Sequence, residues 1–202
     1  MLKKFFVALV LCAVFTLGTN VGFAYDTFQT VYKAVNFTED MKNNEAEFEN
    51  ISTPYGDMKV QMRKLATSDR DKKFHATIYL KKKQIFEYYY PQVNWGYTFK
   101  IIKNTADSRQ FFVIQSIDRA WLIGYSPVEA KIEIYVDSIN YKHSPGTRPY
   151  IGTTNDGDLI LSFEGYGYPT SQRYRFTWDN YRAWFAYSDL GGADYAVSQY
   201  MQ

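Results

Sequence analysis

The sequence predicts an all-β fold, an antiparallel meander of about a dozen strands. Three observations support it. Apolar and polar residues alternate in several short segments, prolines recur at similar intervals, and aromatic residues are abundant, with 19 Tyr, 15 Phe and 4 Trp in 202 residues. Alternation is typical of a strand with one buried and one solvated face, and aromatic residues favour strands. We therefore expect a single all-β domain over residues 25–202.

The first 24 residues have the features of a secretory signal peptide. Lys3 and Lys4 precede an apolar stretch over residues 5–17, which is too short to span a membrane, and Gly22 and Ala24 are the small residues that signal peptidase recognises. We predict cleavage after Ala24 and a secreted or periplasmic location. Loss of the two lysines would take the formal net charge from +2 to 0. A neutral domain has no electrostatic attraction for nucleic acid.

Cysteine usage indicates what stabilises the domain. The only cysteine, Cys12, lies inside the apolar stretch of the signal. We predict a mature chain of 178 residues, 202 less the 24 removed, that has no disulfide. Its stability would come from its hydrophobic core, for which this length is sufficient.

The alternation places the strands in order along the chain. Residues 27–52 contain two strands, although residues 27–37 also fit a helix through Phe28, Val31, Tyr32 and Val35. The stretch from Phe111 to Ile114 is apolar on both faces, which predicts a central strand. We predict the other strands near residues 57–65, 73–80, 84–90, 95–102, 110–116, 120–125, 130–136, 158–164, 172–178 and 183–188, with a short strand near 149–154.

Turn residues stand between these strands. Asn155-Asp156-Gly157-Asp158 offers a tight turn in which Gly157 adopts a positive φ. Its resemblance to part of a calcium-binding loop ends there, because no glutamate follows at the required position and Leu159 begins a strand. The run from Lys81 to Lys83 and the pair Asp179-Asn180 also connect neighbouring strands.

The prolines suggest repeated units. Pro54, Pro91, Pro127 and Pro169 are separated by about 40 residues, and proline belongs at strand boundaries because it cannot donate to a ladder. Between them we predict units of three strands. Such a meander forms a closed barrel or a two-sheet sandwich. A small β-propeller with a split closing blade is the alternative, because propeller blades have a similar length.

A short sequence repeat supports these units. Residues 119–126 (RAWLIGYS) return as residues 182–188 (RAWFAYS). We interpret both segments as the last strand of a unit, equivalent to the strand that contains Phe86. Trp121, Trp184 and Phe86 are then expected at one repeated, buried position.

Catalytic and metal-binding patterns are weak. His75 and His143 are the only histidines, no G-x-S-x-G pattern occurs, and the histidine spacing does not fit a zinc site. We predict no catalytic residue, metal or cofactor. The alternative is a small carbohydrate hydrolase that uses two carboxylates. Its candidates are the acids on predicted strands or strand ends: Glu87, Glu133, Glu164 and Asp179.

Aromatic residues near the unit boundaries suggest binding. They lie beside prolines and glycines in predicted turns, where rings are free to stack on a sugar or pack against a protein. We predict a non-enzymatic domain that binds a glycan or a protein through these turns. A structural envelope protein that associates with itself is a further alternative. The candidate ligand-binding residues are Tyr88, Tyr90, Trp95, Tyr97, Tyr166 and Tyr168.

Overall fold

The fold is all-β, as predicted. A computed structural model describes residues 26–34, 45–53, 56–66, 72–90, 98–107, 109–165, 171–193 and 201. The predicted signal peptide and its cleavage site lie outside these residues. The described strands are β1 (Phe28–Ala34), β2 (Glu45–Thr53), β3 (Gly56–Ala66), β4 (Lys72–Leu80), β5 (Lys83–Tyr90), β6 (Thr98–Asn104), β7 (Gln110–Gln115), β8 (Ala120–Ser126), β9 (Lys131–Asp137), β10 (Thr147–Thr153), β11 (Leu159–Gly165), β12 (Ser171–Asp179) and β13 (Trp184–Ala193).

The strands form three antiparallel sheets. The N-terminal sheet has the order β2-β3-β4-β5, the central sheet β1-β6-β7-β8-β9, and the C-terminal sheet β10-β11-β12-β13. A short 3-10 helix, Ser138–Asn140, leads from the central to the C-terminal sheet. Within the described ranges, no helix is long and apolar enough to span a bilayer.

The central sheet is the middle layer of the molecule. Phe111 and Val113 of β7 pack in one core cluster with the C-terminal sheet. Phe112 and Ile114 of the same strand pack in a second cluster with the N-terminal sheet. All four side chains are fully buried, and burying one such side chain stabilises the fold by about 1.5–3 kcal/mol. The predicted central strand is therefore confirmed, and it is covered on both faces.

The architecture corrects the predicted repeat units. Each sheet contains a meander of four consecutive strands rather than three, and the central sheet gains β1 as a fifth strand. The sheets pack face to face, which is consistent with the predicted sandwich, although with three sheets rather than two, and among the described strands no sheet closes into a barrel. Pro127 does not divide two units, because it lies in the turn that joins β8 to β9. Proline fits a hairpin turn as well as it fits a unit boundary, so its spacing did not define the units.

The structural equivalence of the two Arg-Ala-Trp segments is also wrong. Trp121 lies on β8, the third strand of its meander, and is 1% exposed. Trp184 begins β13, the fourth strand of its meander, and is 41% exposed. Phe86 on β5 is only partly buried. The environments differ because β8 has a neighbouring strand on both sides, whereas β13 is at the edge of its sheet.

The predicted turns are confirmed. Gly157 has φ +86° between β10 and β11, and its carbonyl oxygen accepts a hydrogen bond of 2.8 Å from the Phe28 N–H. Residues 28–34, which also fitted a helix, form a strand because β1 pairs with β6 at the edge of the central sheet. The apolar pattern in residues 27–37 was too short to distinguish the periodicity of a strand from that of a helix.

Candidate functional site

The predicted aromatic turns fall largely outside the described residues. Tyr88 and Tyr90 lie on β5, where their backbones pair with Ala76 and Phe74 of β4. The other four candidates, Trp95, Tyr97, Tyr166 and Tyr168, are not among the described residues. Ligand binding by these six residues stays a prediction.

The described residues contain an exposed apolar surface on β13. Trp184, Tyr187 and Leu190 are 41%, 58% and 36% exposed. Alternation along a strand directs residues three apart to opposite faces of a sheet. The rings of Trp184 and Tyr187 nevertheless both contact aromatic residues of the core cluster between the central and C-terminal sheets. We call these three residues the β13 surface. Large apolar side chains concentrated on an edge strand are typical of an interaction surface.

Aromatic contacts from beneath hold the β13 surface in place. The Trp184 ring lies 4.8 Å from that of Tyr135 on β9, measured between centroids. The Tyr187 ring lies 5.2 Å from Tyr141 and 6.0 Å from Tyr174. Such pairs contribute about 0.5–1.5 kcal/mol each beyond the area that they bury. The exposed rings are therefore anchored and lose little side-chain entropy when a partner binds.

Hydrogen bonding and burial hold the aromatic residues beneath the β13 surface in fixed positions. The Tyr174 hydroxyl donates to the carbonyl oxygen of Lys142 at 2.7 Å. Burial, with smaller contributions from Tyr187 and Asp137, raises the pKa of Tyr141 to about 12. Tyr141 is therefore a neutral phenol at physiological pH and acts as a packing group rather than as a proton acceptor.

The opposite edge of the C-terminal sheet is closed by side chains of the central sheet. The N–H of Ile151 on β10 donates to Gln115 Oε1 at 3.1 Å, and its carbonyl oxygen accepts from Lys100 Nζ at 2.6 Å. The N–H of Thr30 on β1 donates to Thr153 Oγ1 at 3.0 Å. The first two bonds occupy both backbone groups of Ile151, which another chain would otherwise pair with, and the third joins the two sheets through a β10 side chain.

Among the described residues, no side chain of the central sheet covers the β13 edge in this way. In its second half, the carbonyl oxygens of Leu190 and Gly192 accept from the Arg173 side chain and the Gly191 N–H donates to Asp189 Oδ1. The order of the sheet leaves one side of β13 without a neighbour among the described strands. The ten residues from Trp184 to Ala193 contain no lysine and no proline, the two residue types that most often protect an edge. A shift in register between Arg173 and Tyr174 of β12 limits the regular part of β13 to its first half.

A second surface feature lies at the end of the N-terminal sheet. A half-open cavity of about 640 Å³, which we call the turn cavity, lies beside the β4–β5 turn. Its volume is within the range of small-ligand sites. The residues that line it are Asp57, Met58, Lys59, Gln61, Tyr79, Lys81 and Lys82.

The β4–β5 turn that borders this cavity has an unusual backbone. Lys81 and Lys82 both have positive φ, +49° and +68°, as a two-residue type I′ turn requires. Glycine and asparagine favour this conformation, whereas lysine adopts it at a cost of about 1 kcal/mol per residue. The Lys81 stem also lies over Gly56, where a Cβ would come within 2.7 Å of it. Gly56 therefore makes room for the lysine.

The histidines have structural partners. His75 Nε2 lies 2.7 Å from Glu87 Oε1 on the neighbouring strand. The ring of His143 stacks on Phe163 at 4.3 Å between centroids, and its Nδ1 lies 2.8 Å from the Tyr141 carbonyl oxygen. In the part of the chain that the structure describes, no three His, Cys, Asp or Glu side chains are grouped as metal ligands.

The candidate carboxylates are distributed over all three sheets. Glu87 lies on β5, Glu133 on β9, Glu164 on β11 and Asp179 at the end of β12. Each has a local role: Glu133 Oε1 lies 3.0 Å from Lys131 Nζ, and Asp179 Oδ1 accepts from the N–H groups of the β12–β13 turn. Glu164 is buried and accepts from the Ser162 hydroxyl at 3.1 Å. These contacts are those of charges that stabilise strands and turns.

The sequence analysis predicted neither the exposed β13 surface nor the buried position of Lys100. We expected Trp184 to be buried because its segment resembles that of Trp121. The last strand of an open meander lies at a sheet edge, however, and this position in the chain order already indicated that Trp184 would be exposed. Lys100 lies in the predicted strand near 95–102, for which no buried face was predicted. No local pattern revealed that its amine reaches a carbonyl 51 residues further along the chain.

Comparison with known proteins gave no match: no family model, curated protein or solved structure resembles this chain.

Proposed function

We propose that this chain is an exported, non-enzymatic binding domain whose partner is a protein strand that adds to the open edge of β13. The observation that carries this proposal is the contrast between the two edges of the C-terminal sheet. Side chains of the central sheet occupy the β10 edge, whereas the β13 edge presents backbone and three large apolar side chains. Strand addition at such an edge gains main-chain hydrogen bonds, and exposed side chains supply selectivity.

A second copy of this chain is the partner that the β13 surface favours. Trp184 and Leu190 stand at equal sequence distances from Tyr187. A two-fold axis through Tyr187 would pair each Trp184 with the Leu190 of the other copy, and the two Tyr187 side chains with each other. Such self-complementarity is what a two-fold dimer requires. The neutral charge expected of the mature chain adds little repulsion between copies.

Light scattering coupled to size exclusion tests this proposal over a range of protein concentrations. We expect a dimer that dissociates on dilution. Ala186→Lys places a charge on the exposed side of β13 without removing a core contact and should shift the protein to monomer. The matched control is Tyr181→Lys, because Tyr181 is 97% exposed in the β12–β13 turn. This variant gains the same charge and should remain dimeric.

Two results would contradict the proposal. One is a wild-type protein that is monomeric at every concentration, and the other is an Ala186→Lys variant that dimerises as well as wild type. A monomer that binds a glycan and loses this binding with Trp184→Ala would identify the partner as a glycan. Screening wild type and the Trp184→Ala variant against cell-wall and host glycans provides that comparison.

A further inference from the structure

The turn cavity concentrates positive charge in a nearly neutral chain. The whole chain has 23 basic and 21 acidic residues, yet the described residues that line the cavity include three lysines and one aspartate. Lys81 and Lys82 form no ion pair with a described carboxylate. Asp57 is the only acid among the described residues of the lining. Clefts with one sign of charge attract ligands of the opposite sign.

The lining also contains groups that recognise a small polar ring. Tyr79 pairs with Lys59 across β3 and β4, so their side chains share one face of the N-terminal sheet. The aromatic ring of Tyr79 offers a flat apolar surface. Gln61 supplies both a donor and an acceptor for hydroxyl groups. A few polar groups on a partly apolar wall are typical of a small-ligand site.

The backbone of the turn is a second, independent observation. Two consecutive lysines are held at positive φ, where asparagine and glycine are the favoured residues. Strained backbone is concentrated at functional sites, because the surrounding structure maintains it. Here the strained conformation brings two amines to the rim of the cavity, and Gly56 accommodates the stem of one of them.

We propose that the turn cavity binds an acidic sugar, that is, a sugar ring carrying a phosphate or carboxylate group. The acidic group contacts the amines of Lys81, Lys82 and Lys59. The ring lies on Tyr79, and Gln61 and Asp57 hydrogen-bond its hydroxyl groups. This site is separate from the β13 surface and goes beyond the proposed function. An experiment that contradicts one of the two proposals therefore leaves the other standing.

Isothermal titration calorimetry with four probes tests the ligand class. Glucose 6-phosphate and glucuronate each combine a ring with an acid, glucose lacks the acid, and inorganic phosphate lacks the ring. We expect binding of at least one acidic sugar, and weaker binding of glucose and inorganic phosphate. No binding of either acidic sugar, or equally tight binding of glucose or of inorganic phosphate, would overturn the assignment.

The variant Lys81→Asn/Lys82→Gly tests the location of the site. Asn-Gly is the preferred sequence for this turn, so the variant removes two amines while its urea midpoint should be equal to or above that of wild type. We expect it to weaken binding of the acidic sugar by about tenfold or more, since each hydrogen bond to a charged group is substantial. The control Lys103→Gln/Lys142→Gln removes two amines elsewhere on the surface and should bind as wild type does. Undiminished binding by the turn variant, or equal loss in the control, would overturn the proposed location.

Discussion

Lys100 Nζ donates a hydrogen bond to the carbonyl oxygen of Ile151 at a distance of 2.6 Å. The amine belongs to the central sheet and the carbonyl to the edge strand of the C-terminal sheet. Because Gln115 accepts from the N–H of the same residue, two side chains satisfy both backbone groups of Ile151. This arrangement joins two layers by polar contacts within a mostly apolar interface. It also places a titratable group in the protein interior.

The stability of the protein should depend on pH through Lys100. Burial, and secondarily the charge of Lys33, lowers the pKa of Lys100 from 10.5 to about 7. Between these two values the unfolded chain keeps a proton that the folded chain has lost, so the free energy of unfolding rises with pH. Below about pH 7 both states hold the proton, and this contribution no longer varies. We expect a slope of up to about 1.4 kcal/mol per pH unit above neutrality.

Urea denaturation of wild type and Lys100→Met at pH 6.5, 7.5 and 8.5 measures this effect. The difference in the free energy of unfolding between the two proteins should change in favour of wild type as pH rises, because other titrating groups cancel in the comparison. Lys33→Gln should move the rise to higher pH, since it removes a neighbouring positive charge. A difference that stays constant from pH 6.5 to 8.5 would show that Lys100 is not titrating in this range.

The two tryptophans of the repeated segment should differ in their effect on stability. Trp121→Ala removes a fully buried side chain and is expected to lower the free energy of unfolding by about 3–5 kcal/mol. Trp184→Ala removes a half-exposed ring with a contact to Tyr135 and should lower it by about 1 kcal/mol. Chemical denaturation of both variants checks the difference. Equal losses would contradict the different positions of the two segments.

A methyl group at Gly124 should disturb the core between the central and C-terminal sheets. A Cβ there would come within 2.6 Å of the Phe111 ring and 3.1 Å of the Tyr135 ring. We expect Gly124→Ala to lower the free energy of unfolding by about 1–3 kcal/mol through overpacking.

A double-mutant cycle with Phe111→Leu identifies the cause of that loss. The smaller side chain makes room for the methyl group, so the double variant should be more stable than the sum of the two single losses implies. Additive losses would indicate that Gly124 is required for another reason.

The strands were predictable because their signal is local. Alternation along 57–65 or 130–136 depends only on which face of the strand is buried, and the structure has strands over Gly56–Ala66 and Lys131–Asp137. The turn at Gly157 was predictable for the same reason. The number of layers was not, because the apolar stretch from Phe111 to Ile114 has the same appearance in any sheet that is covered on both faces.

Features that depend on distant neighbours were not apparent from local sequence patterns. The exposure of Trp184 depends on its place at the edge of the sheet rather than on the Arg-Ala-Trp residues, which misled the comparison with Trp121. The partner of Lys100 lies on another sheet. The turn cavity depends on how Gly56 and Lys81 approach each other across two hairpins. No pattern in the sequence around either turn indicates this contact.

Hydrogen exchange of the β13 backbone, measured by mass spectrometry at low and high protein concentration, tests the central claim most directly. If a second copy pairs with the β13 edge, peptides covering residues 184–190 should exchange more slowly at high concentration, while those covering β10 should not change because Lys100 and Gln115 already occupy that edge. Ala186→Lys should abolish the concentration dependence. Exchange in residues 184–190 that is independent of concentration, or slowing confined to another strand, would contradict strand addition at β13.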